Sequence, residues 1–351
     1  MTRRRGAAAL AALAAALTIA TGAALVGCTG PHRTTPAPAP APSPTITLDA
    51  APEAIATSTG PFEAGPVAPP PSGAYLGAWV RPESLTQPGR VAAVSTLERA
   101  LGRRLDIVNT YRRMDDPLVT DSDLTFSRQG ATLMLSWAGE DTRAITMGRF
   151  DRTIREQAAR VRGLGRPVLL RFRWEMDRSG LAASMWSPAD YVAAWTHVRD
   201  LFRAERADNA SWVWCPTAEG FATGRAGAFY PGDDQVDWIC VDVYAAAKFA
   251  PLGDLLRPYL RWTAQHPRKP AMIGEFGVAR AWGTEQRAAW LRNAALVVKA
   301  NPQIRAVLYF ESDPDNGDGT AQQQFRLSDD PPALAALAAL AREPYFNPRG
   351  R

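Results

Sequence analysis

Two glutamates close two apolar runs. One ends Pro167-Val168-Leu169-Leu170-Arg171-Phe172-Arg173-Trp174-Glu175, the other Pro270-Ala271-Met272-Ile273-Gly274-Glu275. Each run reads as a buried parallel strand, and loop chemistry follows each carboxylate. Two carboxylates held at strand ends can divide the work on a glycosidic bond, one protonating the leaving oxygen and the other attacking the sugar. The acid must keep its proton near neutral pH, well above the ordinary glutamate value of about 4.3. Trp174 and neighbouring aromatics can desolvate Glu175 in that sense. The attacking group must be ionised at the same pH, so it needs hydrogen-bond donors and positive neighbours. Histidine chemistry is excluded by placement. His32, His197 and His266 fall in a linker, a helix and a loop, so neither a Ser-His-Asp triad nor a histidine zinc site can be assembled at strand ends.

The elements that must carry these residues recur along the chain. Strand-like runs cover Tyr75 to Val80, Leu105 to Arg112, Ala131 to Trp137, Pro167 to Arg173, Ser211 to Pro216, Asp237 to Tyr244, Pro270 to Phe276 and Ile304 to Phe310. Amphipathic stretches such as Phe150 to Val161 separate them. Alternating strand and helix with no antiparallel block predicts a parallel sheet, and eight units predict a closed (β/α)₈ TIM barrel. A doubly wound sheet would announce a glycine-rich first turn, which is missing. Counted this way, Glu175 follows the fourth strand and Glu275 the seventh, at the mouth where such barrels keep their chemistry.

The flanks are read differently. Met1-Thr2-Arg3-Arg4-Arg5, an Ala/Leu-rich run and Leu25-Val26-Gly27-Cys28 form an export signal over residues 1–27, and the ending resembles a bacterial lipobox, which implies lipid on Cys28. Residues 28–70 are rich in Pro and Ala and predict an extended spacer, leaving 71–351 as the barrel domain. Such a protein would be exported, standing on the outer face of the membrane by its lipid alone or secreted. Net charge is +5, much of it from Arg3 to Arg5, which gives no case for nucleic acid. Cys215 and Cys240 fall on neighbouring strands, where a disulfide and two buried thiols are both open.

Several stretches together carry a family resemblance. They are Arg171-Phe172-Arg173-Trp174-Glu175-Met176-Asp177-Arg178, Ser187 to Trp195, Trp212-Val213-Trp214-Cys215-Pro216, Tyr230 to Trp238, Val241-Asp242-Val243-Tyr244 and Lys269-Pro270 leading to Gly274-Glu275-Phe276-Gly277. In order and spacing these resemble glycoside hydrolase family 26, the β-mannanase family of the retaining barrel clan. The resemblance implies Glu175 as acid/base, Glu275 as nucleophile, Tyr244 as the tyrosine that hydrogen-bonds the nucleophile, and Arg171 as the arginine opening the strand-four motif. The family pattern there is Arg-x-x-His-Glu-x-Asn-Gly. Here Trp174 replaces the His, Asp177 the Asn and Arg178 the Gly, and Glu311 ends the eighth strand where many relatives have a tryptophan.

The reaction therefore carries over better than the sugar. Arg171, Trp174, Asp177, Tyr244 and Glu311 are expected to line the substrate site. Trp79, Trp137, Trp186 and Trp282 are candidate platforms, because indoles suit the C–H faces of sugar rings. The expected partner is a β-linked polysaccharide or oligosaccharide, the enzyme a monomer with no cofactor or metal. A binding protein that has lost catalysis, and a transglycosylase, are the alternatives.

Overall fold

The computed structural model describes residues 48, 51–313 and 321–350. The signal, Cys28 and residues 314–320 lie outside the described residues. Eight parallel strands close into a barrel in chain order: β1 (Tyr75–Val80), β2 (Ile107–Arg112), β3 (Thr132–Trp137), β4 (Val168–Phe172), β5 (Ala210–Trp214), β6 (Trp238–Ala245), β7 (Ala271–Val278) and β8 (Ile304–Glu311). β1 pairs with β8 over its whole length, sealing the ring. The expected TIM barrel is thus the fold, with each strand end within a residue or two of its expected place.

Helices such as Gln87–Leu101, Asp151–Leu164, Pro188–Ala204 and Thr284–Ala300 form the outer layer. Their ends follow local chemistry. Ser187 caps the Asp190 amide just before Pro188, and Gly165 takes φ 64° where the Asp151–Leu164 helix stops. The crossover after β5 departs from the pattern: it holds only the short helix Ala218–Ala222 and a 3₁₀ turn.

Strand alternation sorts side chains into two cores. Inward residues Ile107, Met134, Leu169, Val213, Cys215, Trp238, Cys240, Met272, Ala306 and Leu308 fill the barrel. Outward ones, among them Leu133, Leu135, Val168, Leu170, Phe172, Trp212, Trp214, Val307 and Tyr309, pack against the helices. Cys215 and Cys240 lie inside the barrel, joined by a disulfide with an S–S separation of 2.22 Å.

The spacer is shorter than its composition implies. Ala64 and Val67 belong to the barrel's inner core. The Val67 amide donates to Ser211 Oγ at 2.8 Å, Ser211 Oγ donates to the Ala64 carbonyl at 2.9 Å, and Trp238 Nε1 donates to the Val67 carbonyl at 3.0 Å. Upstream, the Ile55 and Ala56 amides both donate to Asn301 Oδ1. A proline-rich composition forbids a core of its own, but not use as a plug. Residues 64–67 stop the floor of the barrel, so the mouth at the other end is its open face.

Candidate active site

The parity of β7 decides where Glu275 points. Met272 faces inward, so strict alternation would send Gly274 inward and Glu275 out to the helices. Instead the β6–β7 register slips: Val241 pairs with Ile273, but Asp242 pairs with Glu275. One residue of β7 is thereby left over, and both carboxylates face the lumen. Gly274 is the residue that permits it. A β carbon there would lie 2.4 Å from Cys240 Sγ, 2.9 Å from Asp242 Oδ1 and 3.1 Å from an Arg171 nitrogen. Only a residue without a side chain fits so close an approach.

Glu275 then accepts from three donors. Arg171 Nη2 reaches its Oε1 at 2.5 Å, the Tyr111 hydroxyl donates to the same oxygen, and the Tyr244 hydroxyl donates to Oε2. Every one of these bonds is accepted, so the geometry is written for the carboxylate. Arg171 is fully buried, and its guanidinium also holds Asp242 in a fork of 2.9 and 3.0 Å, while Nε donates to Ser136 Oγ at 2.8 Å. Burial pushes Asp242 upward and the Arg171 charge opposes it.

Glu175 sits in a tight turn after β4. Arg173 and Glu175 adopt φ of 49° and 53°, uncommon for side-chain-bearing residues. The turn is tied across the mouth by the Glu175 amide donating to the Cys215 carbonyl at 2.7 Å. Burial, and then the Glu275 charge, raise Glu175 above the ordinary carboxylate value, while Arg178 and Arg171 pull it down. Arg178 Nη1 lies 2.7 Å from Glu175 Oε2. The mouth thus opposes one carboxylate fixed by donors to one carboxyl pushed toward its protonated form, the division of labour that acid and nucleophile work requires.

An aromatic wall stands beside the pair. Trp79 meets Tyr111 edge-on at 4.9 Å between ring centroids, and Tyr111 meets Trp174 at 5.1 Å. The Arg171 guanidinium lies 5.2 Å from the Trp174 ring centre. Further out, Trp186 is 53% exposed. Its Nε1 donates to Asp141 Oδ2 at 2.6 Å, and Arg143 covers its ring at 4.4 Å. Trp282 packs on Phe249, and its N–H is spent on the Ala246 carbonyl at 2.7 Å.

Three expected substrate residues belong elsewhere, and a fourth has a different part. Trp137 is at an outward position of β3, 0% exposed, packed against Phe172 and Phe202 with its N–H on the Met114 carbonyl. Glu311 is likewise outward on β8 and accepts from the Leu327 and Ser328 amides. Asp177 turns away to accept from Thr217, at 3.0 Å from its amide and 2.5 Å from its hydroxyl. Arg171 is in the site, but too deep to meet a sugar; it acts on Glu275. Trp137 and Glu311 do stand at strand ends, but their side chains face outward. Conversely, Tyr111, Asp242 and Ser136 join the site without having been singled out. Alternation counted inward from Ile107 would have found Tyr111.

Comparison with known proteins bears on the family and the fold. The sequence model of glycosyl hydrolase family 26 matches residues 126–275. Endoglucanase H of Acetivibrio thermocellus is 26% identical over 284 residues, covering 76% of this chain and 30% of its own length. The β-1,3-xylanase TXYA of a Vibrio species is 32% identical over 147 residues, covering 39% of this chain and 26% of its own. The chain thus spans less than a third of either relative. Among solved structures, the family 26 β-mannanase of Bacteroides ovatus superposes with a TM-score of 0.58 at 16% identity, covering 78% of this chain and 90% of that one. A β-mannanase from a symbiotic protist of the termite Reticulitermes speratus gives 0.56 at 14%, covering 82% and 95%. At such identities the structures speak to the fold alone, and the sequence match supplies the lineage. With its barrel and its two mouth glutamates beside it, that match over residues 126–275 supports assigning the chain to glycosyl hydrolase family 26.

Proposed function

We propose that this chain is a retaining glycoside hydrolase of a β-linked polysaccharide. The observation that carries this reading is the unequal treatment of two glutamates at one mouth. Glu275 accepts from Tyr111, Arg171 and Tyr244, whereas burial raises Glu175. In the first step the Glu275 carboxylate attacks the anomeric carbon and the glycosidic C–O bond breaks, while Glu175 gives its proton to the departing oxygen. In the second, Glu175 takes a proton from water, the water oxygen attacks the same carbon, and Glu275 leaves as carboxylate. Arg171 and the two tyrosines orient the attacking oxygens throughout; Trp79, Tyr111 and Trp174 form the wall for the sugar. The relatives are named endoglucanase, β-1,3-xylanase and β-mannanase, which supports a β-glycan and leaves the sugar to assay. The basic, apolar start and Leu25-Val26-Gly27-Cys28 support export with a lipid on Cys28, so that substrate is met outside the cell.

Chemical rescue tests the roles. Glu275→Ala should lose all substrates, since no glycosyl-enzyme can form. Glu175→Ala should still cleave aryl β-glycosides with good leaving groups, and azide should speed its turnover to a β-glycosyl azide. That product from Glu275→Ala alone would reverse the roles. Parental activity in either folded variant would refute the mechanism.

A further inference from the structure

Arg178 stands at the mouth with an unusual obligation. Its side chain is 60% exposed, yet Nη1 is 2.7 Å from Glu175 Oε2. Among the described residues Glu175 is its one hydrogen-bond and ion-pair partner. The neighbouring carboxylate that could have balanced it, Asp177, is turned to the Thr217 amide and hydroxyl. Arg171, the guanidinium beneath it in the mouth, is already shared by Asp242 and Glu275.

This pairing conflicts with the proposed first step. Glu175 must carry a proton to donate it, and an arginine in contact favours the carboxylate instead. Once Glu175 is protonated, Arg178 loses the one carboxylate it contacts among the described residues. A neutral sugar offers hydroxyls, which are weaker partners for a guanidinium than a carboxylate. A guanidinium has five N–H donors in a planar fork suited to bidentate capture of a carboxylate.

Resting on the glycosidase reading above, we propose that the substrate is an acidic β-glycan, with a uronate carboxylate on a sugar flanking the scissile bond, and that Arg178 binds it. Capture of that carboxylate draws Arg178 off Glu175. The acid is thereby released to take its proton only when the acidic sugar is in place. Arg178 is then both the specificity residue and the device that arms the acid.

The test compares cello-, manno- and laminari-hexaose with the same oligosaccharides oxidised to C6 carboxylates. Binding is measured calorimetrically to folded Glu275→Gln protein, and kcat/KM is measured on the parent. At least one carboxylated series should bind about ten- to a hundredfold more tightly than its neutral counterpart, the span of one charge-assisted hydrogen bond. Arg178→Gln in the same background should abolish that preference, and Arg178→Lys should keep part of it. Equal binding of neutral and carboxylated forms, no binding of any carboxylated form, or a preference that survives Arg178→Gln would overturn the proposal. Hydrolysis of neutral glycans without acid preference would sink this inference and leave the glycosidase reading intact. Arg178-dependent capture of carboxylated glycans by a parent that hydrolyses nothing would do the reverse for the acid-binding contact.

Discussion

Arg171→Met removes the one cation that two buried carboxylates share. In the parent, Arg171 holds Asp242 at 2.9 and 3.0 Å and Glu275 at 2.5 Å with no exposure of its own. Methionine keeps much of the volume and supplies no donor. Truncating one partner of a buried ion pair costs about 3–5 kcal/mol, because the other charge is stranded. Here two charges are stranded, which places the cost at the upper end. At about 2 °C per kcal/mol for a large domain, the melting temperature should fall by on the order of 10 °C. The loss should also depend on pH. Burial already pushes Asp242 up, and without Arg171 nothing comparable opposes it. A carboxyl whose folded pKa is raised contributes its stability below the unfolded value, about 3.9, and loses it as pH rises through the folded value. Thermal melts of Arg171→Met should therefore approach the parent on acidification and diverge toward neutrality. Adding Asp242→Asn should recover part of the loss at pH 7. A variant within about 1 kcal/mol of the parent at pH 7 would refute the reasoning, as would a double variant whose two costs simply add.

Three further outcomes follow from the same geometry. Gly274→Ala places a β carbon 2.4 Å from Cys240 Sγ, so overpacking should cost about 1–3 kcal/mol, and a shift of Glu275 approaching 1 Å should lower kcat by about a hundredfold; a folded, fully active variant would contradict this. Burial pushes Glu311 up to about 7, so its stabilising contribution is present below the unfolded value and lost as pH rises through 7. Glu311→Gln should then raise the melting temperature at pH 8 by up to the equivalent of about 3 kcal/mol while changing little at pH 4, and the opposite dependence in melts would show the sign to be wrong. Trp186→Ala should raise KM for long oligosaccharides about two- to tenfold and leave aryl glycoside turnover alone; an unchanged KM would remove Trp186 from the binding surface.

Much of this fold was legible because buried parallel strands read as continuous apolar runs, and eight of them recur at regular spacing. The mouth glutamates were legible for the same reason, each breaking such a run at its end. What escaped was direction. Trp137 and Glu311 sit at strand ends but at outward positions, one step out of phase with Ser136 and Phe310. Glu275 points inward only because the register slips beside Gly274, a parity change set by packing against Cys240 and Asp242. The proline-rich stretch before β1 was read as spacer because plugging a barrel floor depends on partners, Ser211 and Trp238, distant in sequence.

The central claim is that Glu275 forms a bond to the sugar while Glu175 handles the proton. Mechanism-based labelling reads it most directly. Folded parent protein is incubated with 2-deoxy-2-fluoro-β-glycosyl fluorides of glucose, mannose, xylose, glucuronate and mannuronate, digested, and mapped by tandem mass spectrometry. The fluorine slows both steps and the good leaving group restores the first, so the covalent intermediate accumulates. One fluorosugar should be found esterified to Glu275, with Glu175 unlabelled. Labelling of Glu175 or any other side chain instead, or hydrolysis of these fluorides with inversion and no adduct, would contradict it.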